Sequence, residues 1–309
     1  MKLPPTTSQQ IAQTLVSQHA AMLAGDALTY VQAVRADDTS LSTEMAGILQ
    51  GCRMLGFLEQ DAQCVTRAWQ QQSQRRGLFS IEDWPCHPDD FGISLTPRPK
   101  AFPSCPHALG LYTVLPDAQW VGRMARAGVP TVQLRFKSDR PSAIRQEVRA
   151  AVHAVQGTGA LLFINDHWQA AIDEGAYGVH LGQEDMDDAP IEHIRAAGLR
   201  LGLSTHGYAE MLRADAASPS YIALGAVFPT TLKRMQTAPQ GLGRLHAYAK
   251  LMKHMPLVAI GGIDEQRFPL VMQSGVGSIA MVRAITTADS PEEAARFFQS
   301  LLQSNTHAI

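Results

Sequence analysis

The sequence predicts an α/β fold, a (β/α)8 TIM barrel preceded by a mainly helical N-terminal extension, on the strength of three features. From Leu109 onward eight short apolar runs alternate with stretches of helical length, and eight such units within roughly 200 residues is the size of a compact barrel. Nearly every run is followed at once by polar residues, and in a parallel sheet those carboxyl ends share one rim. The glycine-rich fingerprint that would favour an open dinucleotide-binding sheet is missing after the first run.

The stretch from Phe163 to Asp185, FINDHWQAAIDEGAYGVHLGQED, shows the pattern most clearly. An apolar run ends at Asn165 and Asp166, a helix of about two turns ends at Gly175, and a second run, Tyr177 to Leu181, stops at Gln183, Glu184 and Asp185. Asp166 and Asp185 therefore converge on one rim. Two convergent carboxylates suit a hard divalent cation such as Mg²⁺, which is commonly held by one or two carboxylates and substrate phosphates.

Residues 1 to about 75 read as helix throughout. Thr6, Thr7 and Ser8 are cap candidates ahead of a stripe of Ile11, Leu15 and Met22, and Leu41, Met45, Ile48, Leu49, Cys52 and Leu55 form a second stripe. Both are expected to be packing faces. From Arg75 to Pro106 the periodicity fades and proline is frequent, which predicts a linker or an irregular strap. The expected division is an extension over 1–105 and a barrel over 106–309.

The eight runs are Leu109 to Leu115, Thr131 to Phe136, Ala160 to Ile164, Tyr177 to Leu181, Arg200 to Leu203, Tyr221 to Val227, Leu257 to Ile260 and Ser278 to Val282. Helical stretches include Ala143 to Val155, Ile191 to Ala197, Arg244 to His254, Glu265 to Ser274 and, last, Pro291 to Leu302. Past the second run, alternation sends Gln133, Arg135 and Lys137 to one side. A buried strand carries three such side chains when a ligand satisfies them. The fifth run leads to Ser204, Thr205 and His206, and the sixth into a polar loop, Phe228 to Lys233. The seventh ends at Gly261-Gly262 and the eighth at Val282-Arg283, where loop N–H groups of such barrels often hold phosphate. Two anion sites follow: a metal-assisted one with Arg135, Lys137 and Lys233, and a backbone one at Gly262 and Val282/Arg283.

The chain has 309 residues, a formal charge of -2 and 45% hydrophobic residues. Such balance gives no reason to expect nucleic acid or an anionic membrane as partner. No run of about twenty apolar residues occurs and the first residues lack a signal-peptide pattern, so a soluble cytoplasmic protein is expected. Its four cysteines, Cys52, Cys64, Cys86 and Cys105, form no CxxC pair and read as unpaired thiols; Cys86-His87 and Cys105/His107 offer only a strained zinc alternative.

Taken together, QLRFK (133–137), IND (164–166), GVHLGQED (178–185), GLST (202–205), FPTTLK (228–233), AIGGI (259–263) and MVRAI (281–285) resemble the motifs of the thiamine-phosphate synthase family, in family order. The resemblance covers about residues 108 to 303. It implies a transferase of thiamine biosynthesis that joins 4-amino-5-hydroxymethyl-2-methylpyrimidine diphosphate to 4-methyl-5-(2-phosphoethyl)thiazole, giving thiamine phosphate and diphosphate. It further implies that Gln133, Arg135, Lys137, Asn165, Ser204 and Lys233 hold the pyrimidine diphosphate, with Arg135, Lys137, Lys233 and Ser204 acting in catalysis. Asp166 and Asp185 would hold Mg²⁺. Thr230, Thr231, Leu232, Gly262, Val282 and Arg283 would face the thiazole phosphate. Diphosphate is expected to leave before the thiazole nitrogen attacks, so no general base is assigned.

Two positions depart from the family pattern. Leu232 stands where the second threonine of FPTxTK is usual, and Arg283 where serine is usual. The first hundred residues match nothing in the family; oligomer contacts, cover for a barrel face and descent from a fused partner of the same pathway are open readings. The alternatives are a thiazole tautomerase, for which His206 would move the proton, and a non-catalytic binder of thiamine precursors. The intact cation and carboxylate set favours the synthase. Partners are then small molecules, with a homo-oligomer left open.

Overall fold

The computed structural model describes residues 7–23, 40–95, 98–230 and 238–306. Three N-terminal helices come first: α1 (Ser8–Leu23), α2 (Thr43–Met54) and α3 (Glu59–Arg76). The expected continuous helix is thus broken at Leu55 to Leu58, where Gly56 adopts a left-handed φ of 78°. Thr7 caps α1 reciprocally with Gln10: Gln10 N donates to Thr7 Oγ1 at 3.2 Å, and Thr7 N donates to Gln10 Oε1 at 3.1 Å, the arrangement of a capping box.

The apolar face of α1 is phased differently from the expected stripe. Ile11, Leu15, His19 and Leu23 are buried, spaced every four residues, whereas Met22 is 47% exposed. Leu41 is likewise exposed, ahead of α2. His19 holds its buried place by a hydrogen bond between Nε2 and Ile81 O at 2.8 Å.

The proline-rich segment is a strap pinned along its course. Trp69 Nε1 donates to Ser80 O and Gln72 Nε2 to Asp83 O, and the Arg75 guanidinium grips Asp90 beside a short 3-10 turn at Pro88–Phe91. Farther on, Arg98 Nη2 donates to Asp215 Oδ2 at 2.6 Å, Phe102 N donates to Ser218 O, and Ser220 Oγ donates to Pro103 O. These contacts carry the strap under the amino ends of the strands and into the barrel.

The barrel closes in sequence order through β1 (Gly110–Leu115), β2 (Thr131–Leu134), β3 (Leu161–Asn165), β4 (Gly178–Leu181), β5 (Arg200–Thr205), β6 (Tyr221–Leu224), β7 (Leu257–Ile260) and β8 (Ser278–Met281). All neighbours are parallel, and β1 pairs with β8 to complete the circle. Between strands lie α4 (Ala118–Arg126), α5 (Pro141–Ala154), α6 (Trp168–Asp173), α7 (Asp185–Asp188), α8 (Ile191–Ala196), α9 (Tyr208–Ala217), α10 (Gly241–Leu251) and α11 (Phe268–Met272), and α12 (Arg283–Thr286) and α13 (Pro291–Thr306) follow β8. The (β/α)8 expectation therefore holds, with boundary shifts of a few residues. The largest shifts are at α13, which runs to Thr306 instead of Leu302, at α10, displaced three residues towards the amino terminus from Arg244 to His254, at α11, which is shorter than Glu265 to Ser274, and at β6, which ends at Leu224 instead of Val227.

Two apolar cores result. Tyr112, Val114, Phe163, Tyr221 and Val258 fill the barrel interior, as alternation along a closed sheet requires. A larger core lies between strands and helices, and it runs without a break from Ile48 and Trp69 of the N-terminal helices to Tyr208, Leu245 and Tyr248 of the barrel helices. Helix α3 lies against α9, and α1 against α10. Among the described residues no helix is long and apolar enough to cross a membrane.

Candidate active site

A cavity of about 750 Å³ opens at the carboxyl ends of the strands. Every sequence-predicted site residue within the described part of the chain lines it: Gln133, Arg135, Lys137, Asn165, Asp166, Asp185, Ser204, Thr230, Gly262, Val282 and Arg283. Thr231, Leu232 and Lys233 lie outside the described residues.

The second strand delivers its three polar residues by a different route from the one alternation suggested. Only Gln133 is in β2; Arg135 and Lys137 follow in the loop, although Arg135 N still donates to Leu115 O at 2.7 Å and so extends the ladder by one residue. Burial decreases outward, with Gln133 buried, Arg135 intermediate and Lys137 exposed. The three side chains thus mark increasing height above the barrel floor.

Asp166 follows the last residue of β3 and has φ 63°, in the left-handed region that few residues other than glycine adopt. Its backbone N–H donates to His180 O at 3.0 Å, which ties the bend to β4. Its carboxylate does not cap α6, whose cap residue is His167 without a side-chain cap bond. Instead Asp166 Oδ2 accepts from Lys137 Nζ at 2.7 Å. Asp185 completes the group: its Oδ2 accepts from Gly182 N at 3.0 Å, and its carboxyl lies close enough to Asp166 to feel that residue's charge. Burial first, and the charge of Asp166 second, push the Asp185 carboxyl above the ordinary aspartate range. Two neighbouring carboxylates with one lysine, on Asp166, form a site whose remaining negative charge a divalent cation would relieve.

Below this cluster the floor is a chain of hydrogen bonds that sequence reading did not find. Gln133 Nε2 donates to Tyr112 OH at 2.9 Å, Tyr112 OH meets Tyr221 OH at 2.8 Å, Tyr221 OH meets His180 Nδ1 at 2.7 Å, and His180 Nε2 meets Ser204 Oγ at 2.8 Å. Burial raises the pKa of both phenols, so they remain neutral. The chain links Gln133 on β2 to Ser204 on β5 across the interior. His180, within the fourth strand, is the part of it that orients Ser204.

The far wall is the Gly261-Gly262 turn, with φ 108° and 63°. A Cβ on Gly262 would lie 2.5 Å from Pro229 O, so only glycine lets this turn pack against the loop after β6. Arg267, another residue missed from sequence, lines the cavity, donates from Nη1 to Gly262 O at 2.8 Å and lies 4.8 Å over the Phe228 ring. His206 also faces the cavity, with its Nδ1 2.6 Å from Glu210 Oε2, which accepts from His206 N as well. Gln183, by contrast, is turned to structural use, donating to Ser204 O at 2.7 Å.

The model of the thiamine monophosphate synthase family matches residues 112–285 of this sequence, the segment that carries all these side chains. The chain belongs to the thiamine monophosphate synthase family. It is 54% identical over 200 residues to the thiamine-phosphate synthase of Neisseria meningitidis serogroup B, an alignment that covers 65% of this chain and 98% of that protein. The corresponding Salmonella schwarzengrund protein is 52% identical over 187 residues, 60% of this chain and 89% of its own length. Among solved structures, the thiamine phosphate pyrophosphorylase of Pyrococcus furiosus superposes with a TM-score of 0.57 at 28% identity, over 63% of this chain and 96% of that one. Helices α1 to α3 precede the segment that matches the synthase family.

No group of three or more histidine, cysteine, aspartate and glutamate side chains suited to a metal is present among the described residues. All four cysteines are free.

Proposed function

We propose that this protein joins 4-amino-5-hydroxymethyl-2-methylpyrimidine diphosphate to 4-methyl-5-(2-phosphoethyl)thiazole, releasing diphosphate and forming thiamine phosphate. The observation that supports this best is the opposition, within one cavity, of the Lys137–Asp166–Asp185 cluster and the Gly261-Gly262 turn. One wall suits a metal-bound diphosphate and the other a phosphate received by backbone groups.

In this reading Gln133, Asn165 and Ser204 orient the pyrimidine diphosphate, and Arg135, Lys137 and Lys233 neutralise the charge that develops as its carbon–oxygen bond breaks. Electrostatic stabilisation of a leaving group is worth most in a walled site where donors are already oriented. Asp166 and Asp185 would hold Mg²⁺, which when bound supplies further positive charge to the diphosphate. The thiazole nitrogen then forms the new carbon–nitrogen bond, its phosphate received by Thr230, Thr231, Gly262, Val282 and Arg283, with Leu232 beside it. Holding both substrates in one cavity supplies proximity. No residue is assigned as general base, because the nitrogen attacks through its lone pair. We further propose that residues 1–105 are an accessory layer to the catalytic unit 106–309.

The test is diphosphate release by the full-length protein with both substrates, with and without Mg²⁺. Release that requires both substrates and the metal, with thiamine phosphate in equal amount, is the expected result. Conversion of the thiazole phosphate alone to a tautomer, without diphosphate release, would transfer the assignment to a proton-transfer barrel acting through His206.

A further inference from the structure

The loop that carries Ser204 and His206 is held from outside the barrel. After His206 the chain passes through Gly207, the cap residue of α9, which offers no side chain to the first N–H groups of that helix. Asp61, in the first turn of α3, fills the role: its Oδ1 accepts from Ala209 N at 2.8 Å, across 148 positions of sequence. Asp61 is only 6% exposed. A Cβ on residue 207 would lie 2.2 Å from Asp61 Oδ2, so the carboxylate occupies the space that a capping side chain would take.

The connection is reciprocal. Arg244 on α10 donates from Nε to Leu23 O at 3.0 Å and from Nη2 to Leu55 O at 2.8 Å, satisfying carbonyls at the ends of α1 and α2, and its guanidinium lies 4.0 Å over Phe57. The N-terminal helices therefore cap a barrel helix, and a barrel helix caps them. Ser204 itself is bonded to His180 on the barrel side, and His206 to Glu210 on the helix side. Between these fixed ends the turn at Gly207 to Ala209 is anchored by Asp61.

We infer that Asp61 is a positioning residue for the active site: by capping α9 it holds the β5–α9 turn in the geometry that presents Ser204 and His206 to the cavity. The assignment gives the N-terminal helices a part in the reaction although they lie outside the family match. It rests on the proposed pyrimidine diphosphate role of Ser204. Burial raises the Asp61 carboxyl above the usual aspartate range, as for a carboxylate enclosed between two packed layers.

The experiment compares full-length Asp61→Ala, Asp61→Asn and Ile48→Ala, the last a fully buried α2 residue that takes no part in the cap. Michaelis constants for both substrates, thermal midpoints and amide exchange over 205–210 are measured. Asp61→Ala is expected to raise the constant for the pyrimidine diphosphate by about fivefold or more, leave that for the thiazole phosphate within about twofold, and speed exchange at Ala209. Asp61→Asn keeps an acceptor for Ala209 N and is expected to restore the constant to within about twofold of wild type. Ile48→Ala is expected to lower the thermal midpoint without moving either constant. Unchanged constants and exchange in Asp61→Ala, or an equal rise in Ile48→Ala, would overturn the inference. Wild-type protein that fails to turn over would defeat the proposed reaction, whereas the exchange of Ala209 would still report whether Asp61 holds the turn.

Discussion

Lys137 Nζ lies 2.7 Å from Asp166 Oδ2, so the cation past one strand of the barrel neutralises the carboxylate past the next. The lysine is more than half exposed, and an exposed pair of this kind adds little to stability. Its value is in charge balance, since Asp185 bears on the same carboxylate. Asp166→Asn removes one negative ligand while keeping the shape. Turnover is expected to fall by about tenfold or more, with a larger Mg²⁺ concentration needed for half-maximal rate. A magnesium titration of both proteins checks this, and superimposable curves would remove the metal assignment.

The thiazole side is predicted to be separable from the pyrimidine side. Leu232→Thr restores a hydroxyl where the family pattern has one, and Arg283→Ser removes an exposed charge at the cavity edge. Each is expected to shift the Michaelis constant for the thiazole phosphate by about twofold to tenfold and to leave the pyrimidine constant unchanged. Steady-state kinetics with each substrate varied in turn decides; movement of the pyrimidine constant alone would reverse the division of the cavity.

Removal of residues 1–105 is predicted to destabilise the remainder. Phe57 and Phe91 pack on Tyr208, with ring centroids 5.9 Å and 5.2 Å away, and Leu55 and Trp69 belong to the same continuous core as Leu245 and Tyr248. Each such side chain contributes roughly 1.5–3 kcal/mol when buried, and the barrel faces left behind would be apolar. A chain beginning at residue 106 is expected to aggregate or to melt well below the full-length protein. Circular dichroism and light scattering measure both; an unchanged melting temperature would show two independent units.

Acid sensitivity is predicted at the strap. Burial alone would raise the Asp215 carboxyl, but the His254 ring, 3.6 Å from Asp215 Oδ1, and the Arg98 guanidinium hydrogen-bonded to Oδ2 outweigh it and hold the pKa below the usual value. A carboxyl whose folded pKa is depressed stabilises the protein fully above its unfolded value of about 3.9, and that contribution is lost as pH falls through the folded value. Arg98→Gln weakens the pairing, so its melting temperature is expected to lie below wild type at pH 6 and to converge with it as pH drops below about 4. Parallel curves at all pH values would show that the guanidinium acts only through packing.

Much of the barrel was legible in order because its signals are local. Apolar runs of strand length separated by helical stretches define the alternation, and chain order around a parallel barrel then follows from the short crossovers. The convergence of Asp166 and Asp185 could be read for the same reason, since both follow consecutive parallel strands. Boundaries were less legible: β2 stops at Leu134 although the apolar pattern continues to Phe136, because residues 135–137 rise into the mouth of the cavity instead of continuing the sheet. In α1, Met22 and Leu23 are both apolar, and the facing helix alone decides that Leu23 goes inward.

The sequence by itself determined the strand and helix order, the side of the barrel on which polar residues gather, and the residue types that meet there. Only the tertiary structure decided that Tyr112, Tyr221 and His180 join Gln133 to Ser204, and that Asp61 caps a helix beginning at Tyr208. Together those contacts cross the barrel interior from β2 to β5, or join the N-terminal layer to a barrel helix. No periodicity in the chain encodes them, because each depends on where two separately formed elements come to rest when the apolar surface between them is buried.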